Sequence, residues 1–159
     1  RPAALRLRSD RREVTIVDRL HGSVTATLDD AVLRRNDGVP AYNLAVVVDD
    51  AEQGIDEVVR GDDLLDITPT HAHLADVLGV PRPTWAHVPL VVGPDGQRLA
   101  KRHGAVTLAV LAADGAGPDA VRSRLAWSLG LAEEGEPVSP AQLVARFDPD
   151  RLPRDPWMI

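Results

Sequence analysis

A short basic segment bounded by glycines is the first candidate for chemistry. Gly93-Pro94-Asp95-Gly96 predicts a tight turn, and the basic stretch Arg98-Leu99-Ala100-Lys101-Arg102 follows it before Gly104. Lys101 is the only lysine among the 18 Lys and Arg residues. A compact ammonium charge in such a loop can fold over a polyphosphate and neutralise charge as it develops. The alternative is a solvated hairpin in which this lysine has no special role.

Arg60 is the second candidate, because it stands alone among acidic residues. It is the only basic residue in segment 36–66, which holds nine acidic residues, and it follows the apolar run Ile55–Val59. At the carboxyl end of a parallel strand, where open α/β sheets place ligands, its guanidinium could bind a carboxylate bidentately. A salt bridge to Asp62, Asp63 or a neighbouring residue is the ordinary alternative.

Other polar residues give weaker signals. Tyr42 is the only tyrosine, and among apolar neighbours it suits a core position with its hydroxyl hydrogen-bonded. His71 and His73 lie two residues apart, so on a helix they point in different directions and form a poor metal pair. The doublets Asp29-Asp30 and Asp49-Asp50 are typical of caps and solvated faces, although a few of these carboxylates could help to hold a metal ion.

Alternating and helical patterns predict the elements that position these residues. Apolar alternation from Leu5 to Leu33 predicts a β-rich layer. Tyr42–Val48 predicts a mostly buried helix that closes before Gly54, and Ile55–Val59 predicts a buried strand. A β-α-β crossover, the unit of a parallel nucleotide-binding sheet, should then connect this strand to a second strand at His87–Val92.

The helix of that crossover has its own start and stop signals. Thr68 is predicted to cap it, with Pro69 at the first helical position and Gly79 at the end. Leu74, Val77 and Leu78 should line its inner face. After residue 104 the pattern predicts three short helices and a proline-rich tail that is packed or frayed rather than helical.

Composition limits the class of protein. The 159 residues are 44% hydrophobic and contain no cysteine, which fits one cytoplasmic globular unit without disulfides or thiolate metal sites. No apolar run approaches the roughly 18 residues that a membrane span needs. The net charge of −6 is uneven, because residues 1–35 carry eight arginines against five acids, so a basic rim could meet phosphate. Since the chain does not begin with Met, we expect it to be a piece of a longer protein.

Taken together, five segments resemble the second half of a glutamyl-tRNA synthetase catalytic domain, a class I enzyme. The similarity extends over about residues 30–105 and includes both the order and the spacing of the motifs. The segments are Asp37–Asp50, Gly54–Leu65, Thr68-Pro69, His87–Leu90 and Arg98–Arg102.

Within that family the chain is most similar to the glutamyl-Q tRNA(Asp) synthetases, which lack an anticodon-binding domain. The stretches Ala3–Arg8, Thr15–Gly22 and Pro153–Pro156 carry this finer resemblance. It implies an α/β fold with three parts: a β-rich inserted segment at 1–35, the second half of a Rossmann-type nucleotide-binding domain at 36–105, and a small helical region at 106–159.

The resemblance also implies a role for individual residues. Tyr42 and Arg60 would bind glutamate. The segment from Arg98 to Arg102 would be the class I signature loop, with Lys101 as the catalytic residue on the ATP phosphates. The ATP site would include Arg98, Leu99, Leu90, Val91, Asp63 and Lys101.

Three departures from the family pattern bear on these roles. Arg98 stands where the signature loop has its first lysine, and Ala100 where it has serine, which could slow loop closure. Val46 stands where ordinary glutamyl-tRNA synthetases commonly have asparagine, which favours the glutamyl-Q branch.

The implied reaction is ATP-dependent activation of L-glutamate, with Mg²⁺ accompanying ATP, and transfer of the glutamyl group to queuosine in tRNA(Asp). The protein is expected to be a cytoplasmic monomer, any zinc site to belong to a preceding N-terminal half, and this chain alone to be inactive. Two alternatives remain open: a fragment of an ordinary glutamyl-tRNA synthetase that charges tRNA(Glu), and a degenerate relative that binds tRNA or a partner without catalysis.

Overall fold

The structure combines β-strands with α-helices. A computed structural model of the chain describes residues 3–99 and 107–159. The chain divides into two compact units, Arg1–Val88 and Pro89–Ile159. The first unit places helices beside a mixed sheet, so the expected α/β class is confirmed.

The first unit is built on a four-stranded sheet with the order β3-β2-β6-β5. β2 and β3 form an antiparallel hairpin, whereas β6 runs parallel to both β2 and β5. A separate antiparallel pair joins β1 to β4, so the β-rich start is confirmed. The strands are β1 (Leu5–Arg6), β2 (Glu13–Asp18), β3 (Gly22–Thr27), β4 (Val32–Arg34), β5 (Glu57–Gly61) and β6 (Thr84–Val88).

β2 alternates strictly between exposed and buried side chains. Val14 and Ile16 point into the core, and the same period of two turns Asp18 inward, where it is 1% exposed. A strand with one buried face therefore delivers a carboxylate to the interior at its carboxyl end.

Two helices complete this unit: α1 (Tyr42–Gln53) and α2 (Thr68–Leu78). α2 lies between the sheet and α1, because its Ala72 belongs to the core cluster of Ile16 and Trp85 whereas its Leu74 packs against Val47 of α1. This double packing explains why every residue from Thr68 to Ala75 is buried. Both helices end, as predicted, at a glycine with left-handed backbone, Gly54 and Gly79.

Three details of these helices differ from the sequence prediction. α1 is not mostly buried, since Val47 is its only buried residue. Val77 and Leu78 do not line the inner face of α2. They are 57% and 43% exposed, because they follow the buried part of the helix, which ends at Ala75. Thr68 does not cap α2, because the cap position is Ile67 and the Thr68 hydroxyl donates to the carbonyl of Leu64.

The parallel crossover from β5 through α2 to β6 is confirmed, but the strands differ in burial and length. β5 lies at an edge of the described sheet, and Val59 is 62% exposed, so the strand is only half-buried. The apolar run at His87–Val92 is divided at Pro89-Leu90 into β6 and β7 (Val91–Val92). Proline has no N–H to continue the ladder, which explains the break.

The second unit joins a short parallel pair to helices. β7 pairs with β8 (Trp157–Met158), and the helices are α3 (Leu108–Ala113), α4 (Pro118–Ser128) and α5 (Pro140–Arg146). The three predicted helices are therefore confirmed. The tail forms a 3-10 turn at Pro149–Arg151 before β8. Within the described residues, none of the helices is long and apolar enough to cross a bilayer.

Candidate functional site

The guanidinium of Arg60 is the centre of a hydrogen-bonded cluster at the carboxyl end of β5. Its Nε donates to Nε2 of His87, its register partner on β6, at 3.0 Å. Its Nη2 donates to the Thr68 hydroxyl at 2.6 Å and to Nδ1 of His71 at 3.1 Å. Three of the five guanidinium hydrogens are thus directed to neighbours on β6 and α2.

These contacts define the protonation of both histidines. A guanidinium can only donate, so the ring nitrogens that face Arg60 must carry no hydrogen. Burial, and after it the charge of Arg60, lowers the pKa of His71 from 6.5 to about 4. Burial also lowers the pKa of His87, against the opposing effect of its hydrogen bond to Asp18. Both rings are therefore neutral acceptors at physiological pH.

Each imidazole is held from its far side by a second acceptor. The Nδ1–H of His87 donates to Oδ2 of Asp18 at 2.7 Å, and both side chains are fully buried. The Nε2–H of His71 donates to Oδ1 of Asn43 at 3.0 Å. Because each ring has one hydrogen, these outer bonds fix the tautomers that Arg60 requires.

Backbone amides in the turn that follows β2 donate hydrogen bonds to Asp18. Its Oδ1 accepts the amides of Leu20 and His21 at 2.9 and 3.0 Å, and its Oδ2 accepts the amide of His87 at 3.1 Å. Burial raises the pKa of Asp18, but the hydrogen bond from the His87 ring and the bonds from these amides outweigh it and hold the pKa below its ordinary value. The carboxylate is charged and fully hydrogen-bonded.

Tyr42 completes the cluster on the side open to solvent. Its hydroxyl lies 3.4 Å from Nη1 of Arg60, a long contact, and its ring meets His71 edge-on with centroids 5.9 Å apart. Tyr42 is 53% exposed, so it is not the core residue that its apolar neighbours suggested. The two predicted glutamate-binding residues are therefore adjacent.

The charge of Arg60 is not neutralised by direct pairing. Among residues 3–99 and 107–159 no carboxylate forms a salt bridge with its guanidinium, so the alternative of a bridge to Asp62 or Asp63 is not what the structure shows. Asp63 lies in a 3-10 turn, Asp62–Leu64, directly after β5. Within the described residues, Nη1 of the half-buried cation makes only the long 3.4 Å contact with the Tyr42 hydroxyl.

The candidates in the second unit surround a hairpin. The Leu99 amide donates to the Val91 carbonyl at 2.9 Å, Arg98 bridges to Val92, and the predicted turn lies between them. The Leu90 carbonyl accepts from the Trp157 amide at 3.0 Å. The three other residues of the predicted signature loop, Ala100, Lys101 and Arg102, lie outside the described residues.

Sequence reasoning missed most of the residues around Arg60. It treated His71 only as a possible metal ligand, placed His87 in a strand without a role, and assigned Thr68 to a cap. The period of two through Val14 and Ile16 could have identified Asp18 as a buried carboxylate, which is a signal of a polar network. The involvement of Asn43 had no signal in the sequence.

Comparison with known proteins gives the family of the chain. The family profile described as tRNA synthetases class I (E and Q), catalytic domain, matches residues 1–158. The chain is 60% identical over 159 residues to a glutamyl-Q tRNA(Asp) synthetase of Nocardia farcinica, covering 100% of this chain and 50% of the relative. It is 45% identical over 150 residues to a glutamate–tRNA ligase of Nitrosospira multiformis, covering 91% of this chain and 32% of the relative.

Solved structures show the same relationship. A glutamate tRNA ligase from Elizabethkingia meningosepticum, crystallised in complex with its amino acid, superimposes with a TM-score of 0.79 at 27% identity. The match covers 98% of this chain and 36% of that protein. The chain spans half the length of the Nocardia relative and about a third of the length of the two glutamate ligases. It belongs to the class I tRNA synthetases of the E and Q group, within their catalytic domain.

Proposed function

We propose that this chain forms part of the active site of a ligase that activates L-glutamate with ATP and transfers the glutamyl group to queuosine in tRNA(Asp). The observation that carries the proposal is the Arg60 guanidinium, which is held by neutral acceptors beside the exposed hydroxyl of Tyr42. The relatives named for glutamate and tRNA support it.

A carboxylate is the ligand that this geometry suits. A half-buried cation without a carboxylate partner gains more from an anion than a fully solvated one, because the effective dielectric constant is lower. Since Nε and Nη2 of Arg60 already have acceptors, a glutamate carboxylate would meet Nη1 and the Tyr42 hydroxyl. This arrangement differs from the bidentate grip that the sequence suggested.

ATP is proposed as the second substrate, with Mg²⁺ bound to its phosphates. The residues proposed to hold ATP are Leu90, Val91, Asp63, Arg98, Leu99 and Lys101, of which Lys101 would stabilise the charge that develops at the phosphates. In the described parts of the chain, no group of three acidic or histidine side chains is arranged as a metal cage. Because adenylate formation needs no protein nucleophile, the contribution proposed for this chain is positioning and charge.

The identity of the tRNA that accepts the glutamyl group is the most specific part of the proposal. The 60% identity to a glutamyl-Q tRNA(Asp) synthetase exceeds the 45% identity to a glutamate–tRNA ligase. Val46, one helical turn after Tyr42, packs with Val47 and Leu74 and offers no polar group there, which also favours the glutamyl-Q branch. The second candidate, charging of tRNA(Glu), is kept because glutamate ligases match most of the chain.

The acceptor assay distinguishes these functions. The full-length protein is incubated with ATP, radiolabelled L-glutamate and either tRNA(Asp) or tRNA(Glu), with queuosine-free tRNA(Asp) as the control. We expect label on queuosine-containing tRNA(Asp) alone. Label on tRNA(Glu) would support the ordinary synthetase, and absence of both label and glutamate-dependent pyrophosphate exchange would support a non-catalytic relative.

A further inference from the structure

Among the described residues, the Arg60 guanidinium is held by two imidazoles and the Thr68 hydroxyl rather than by a carboxylate. Nε lies 3.0 Å from His87 and Nη2 lies 3.1 Å from His71. An arginine held by a carboxylate would lose much of its attraction for an anionic ligand, because the two negative charges would compete for it. Neutral nitrogen acceptors orient the guanidinium without neutralising it.

We propose that His87 and His71 are positioning residues for Arg60, each presenting a ring nitrogen without hydrogen to the guanidinium. Asp18 sets the tautomer of His87 by accepting a hydrogen bond from Nδ1, and Asn43 sets the tautomer of His71 by accepting one from Nε2. The inference rests on the proposed function, in which Arg60 binds a carboxylate of glutamate, and assigns these four residues to that site.

The geometry of the two rings is reciprocal. His87 faces Arg60 with Nε2 and Asp18 with Nδ1. His71 faces Arg60 with Nδ1 and Asn43 with Nε2. If either ring changed its tautomer or gained a proton, an N–H would point at a guanidinium N–H, and the hydrogen bond would be lost. Asp18 and Asn43 therefore both help to orient the Arg60 guanidinium. Asp18 acts through Nδ1 of His87, and Asn43 acts through Nε2 of His71.

Burial makes this arrangement rigid. His87 and Asp18 have no exposed side-chain surface, and His71 is 3% exposed. Side chains in such close-packed surroundings sit in rotamer minima with few voids around them, which restricts the movement of the ring nitrogens relative to β5 and α2. The groups that contact His71 are Arg60 on β5, and Asn43 and Tyr42 on α1.

Amide substitutions can separate the two functions of each ring. The carboxamide of asparagine reaches about as far as Nδ1 of histidine, and that of glutamine about as far as Nε2. His87→Gln therefore keeps an acceptor for Arg60 and leaves Asp18 without its ring partner. His87→Asn keeps a donor for Asp18 and leaves Arg60 without its acceptor. At His71 the order is reversed, so Asn keeps the bond to Arg60 and Gln keeps the bond to Asn43.

The experiment measures the KM for glutamate and the KM for ATP in the full-length protein by glutamate-dependent pyrophosphate exchange, together with the melting temperature of each variant. We expect His87→Asn to raise the KM for glutamate at least about tenfold and His87→Gln by less than about threefold, with the KM for ATP unchanged. At position 71 we expect His71→Gln to have the large effect on the KM for glutamate and His71→Asn the small one. At His87 the melting temperature should follow the opposite order, because Gln leaves the buried Asp18 carboxylate less well paired.

A purely structural role for the histidines predicts a different pattern. In that case the KM for glutamate would follow the melting temperature at both positions, or would change equally for Asn and Gln, and either result would overturn the inference. Where neither His87 variant folds, the pair at His71 decides alone. Arg60→Gln, measured in parallel, separates the two claims: an unchanged KM for glutamate in that variant contradicts the proposed function itself, whereas a raised value with no reciprocal pattern contradicts only the positioning role.

Discussion

Arg60 and His87 are register partners on adjacent parallel strands, and Nε of Arg60 lies 3.0 Å from Nε2 of His87. Because the backbone ladder holds β5 against β6, the donor and the acceptor are aligned by the sheet itself rather than by a loop. Asp18 on β2 lies behind His87, on the other side of β6, so three neighbouring strands end in one hydrogen-bonded line. Arg60, the positively charged end of this line, lies next to the exposed Tyr42.

Removal of the Tyr42 hydroxyl should weaken glutamate binding moderately. The hydroxyl is 3.4 Å from Nη1 of Arg60, and the ring contact with His71 does not require it. We expect Tyr42→Phe to raise the KM for glutamate roughly fivefold, which corresponds to about 1 kcal/mol for one lost hydrogen bond. The KM for ATP and the melting temperature serve as controls and should not change. An unaltered KM for glutamate would remove Tyr42 from the site.

Acid should destabilise the fold partly through His71. The folded pKa of His71 is about 4 and the ordinary value is 6.5, so between these values the unfolded chain binds a proton that the folded chain does not. The free energy of unfolding should therefore fall as the pH decreases from about 6.5 to about 4, by about 3 kcal/mol from this group.

Urea unfolding at a series of pH values, followed by circular dichroism, measures this contribution. Comparison with His71→Asn isolates it from the other titrating groups. Equal pH dependence in the two proteins would contradict the neutral, buried state of His71.

Lys101 is proposed to stabilise charge on the ATP phosphates. Its replacement by alanine in the full-length protein should reduce glutamate-dependent pyrophosphate exchange at least about tenfold, about 1.4 kcal/mol of barrier. Titration of L-glutamate onto the same variant should give the wild-type affinity, because Lys101 is assigned to ATP. Exchange at the wild-type rate would refute the assignment.

The packing of α2 should determine the stability of the first unit. Leu74 is 1% exposed and lies in the cluster with Val47 and Ala75, whereas Val77 on the same helix is 57% exposed. Leu74→Ala should lower the free energy of unfolding by about 2–5 kcal/mol. Val77→Ala, the matched control, should change it by less than about 0.5 kcal/mol. Similar losses for both variants would show that α2 is not held between the sheet and α1 as described.

The fold was predictable where local rules act alone. Alternation of apolar residues predicts β2, and left-handed glycine caps predict the ends of α1 and α2. The rules for connections between strands predict the parallel crossover. The burial of Val77 and Leu78 was predicted wrongly because helical periodicity identifies a face but not how far along the helix that face is covered.

The site was predictable only in its charged centre. Arg60 was identifiable from its isolation among acidic residues, and Tyr42 from the family resemblance. His71, His87 and Asp18 were not connected to it, because their contacts bring together residues 11 to 69 positions apart in the chain. Such contacts depend on sheet register and helix placement, which no local pattern in one sequence specifies.

The most direct test of the account is calorimetric titration of L-glutamate onto the full-length wild-type protein and its Arg60→Gln variant. Arg82→Gln is the matched control, since Arg82 is paired with Asp76 on the surface of the same unit. Loss of the charge at Arg60 should weaken glutamate binding about tenfold to a hundredfold, and the control should bind as the wild type does. Equal affinity of the wild type and Arg60→Gln for L-glutamate would contradict the central claim.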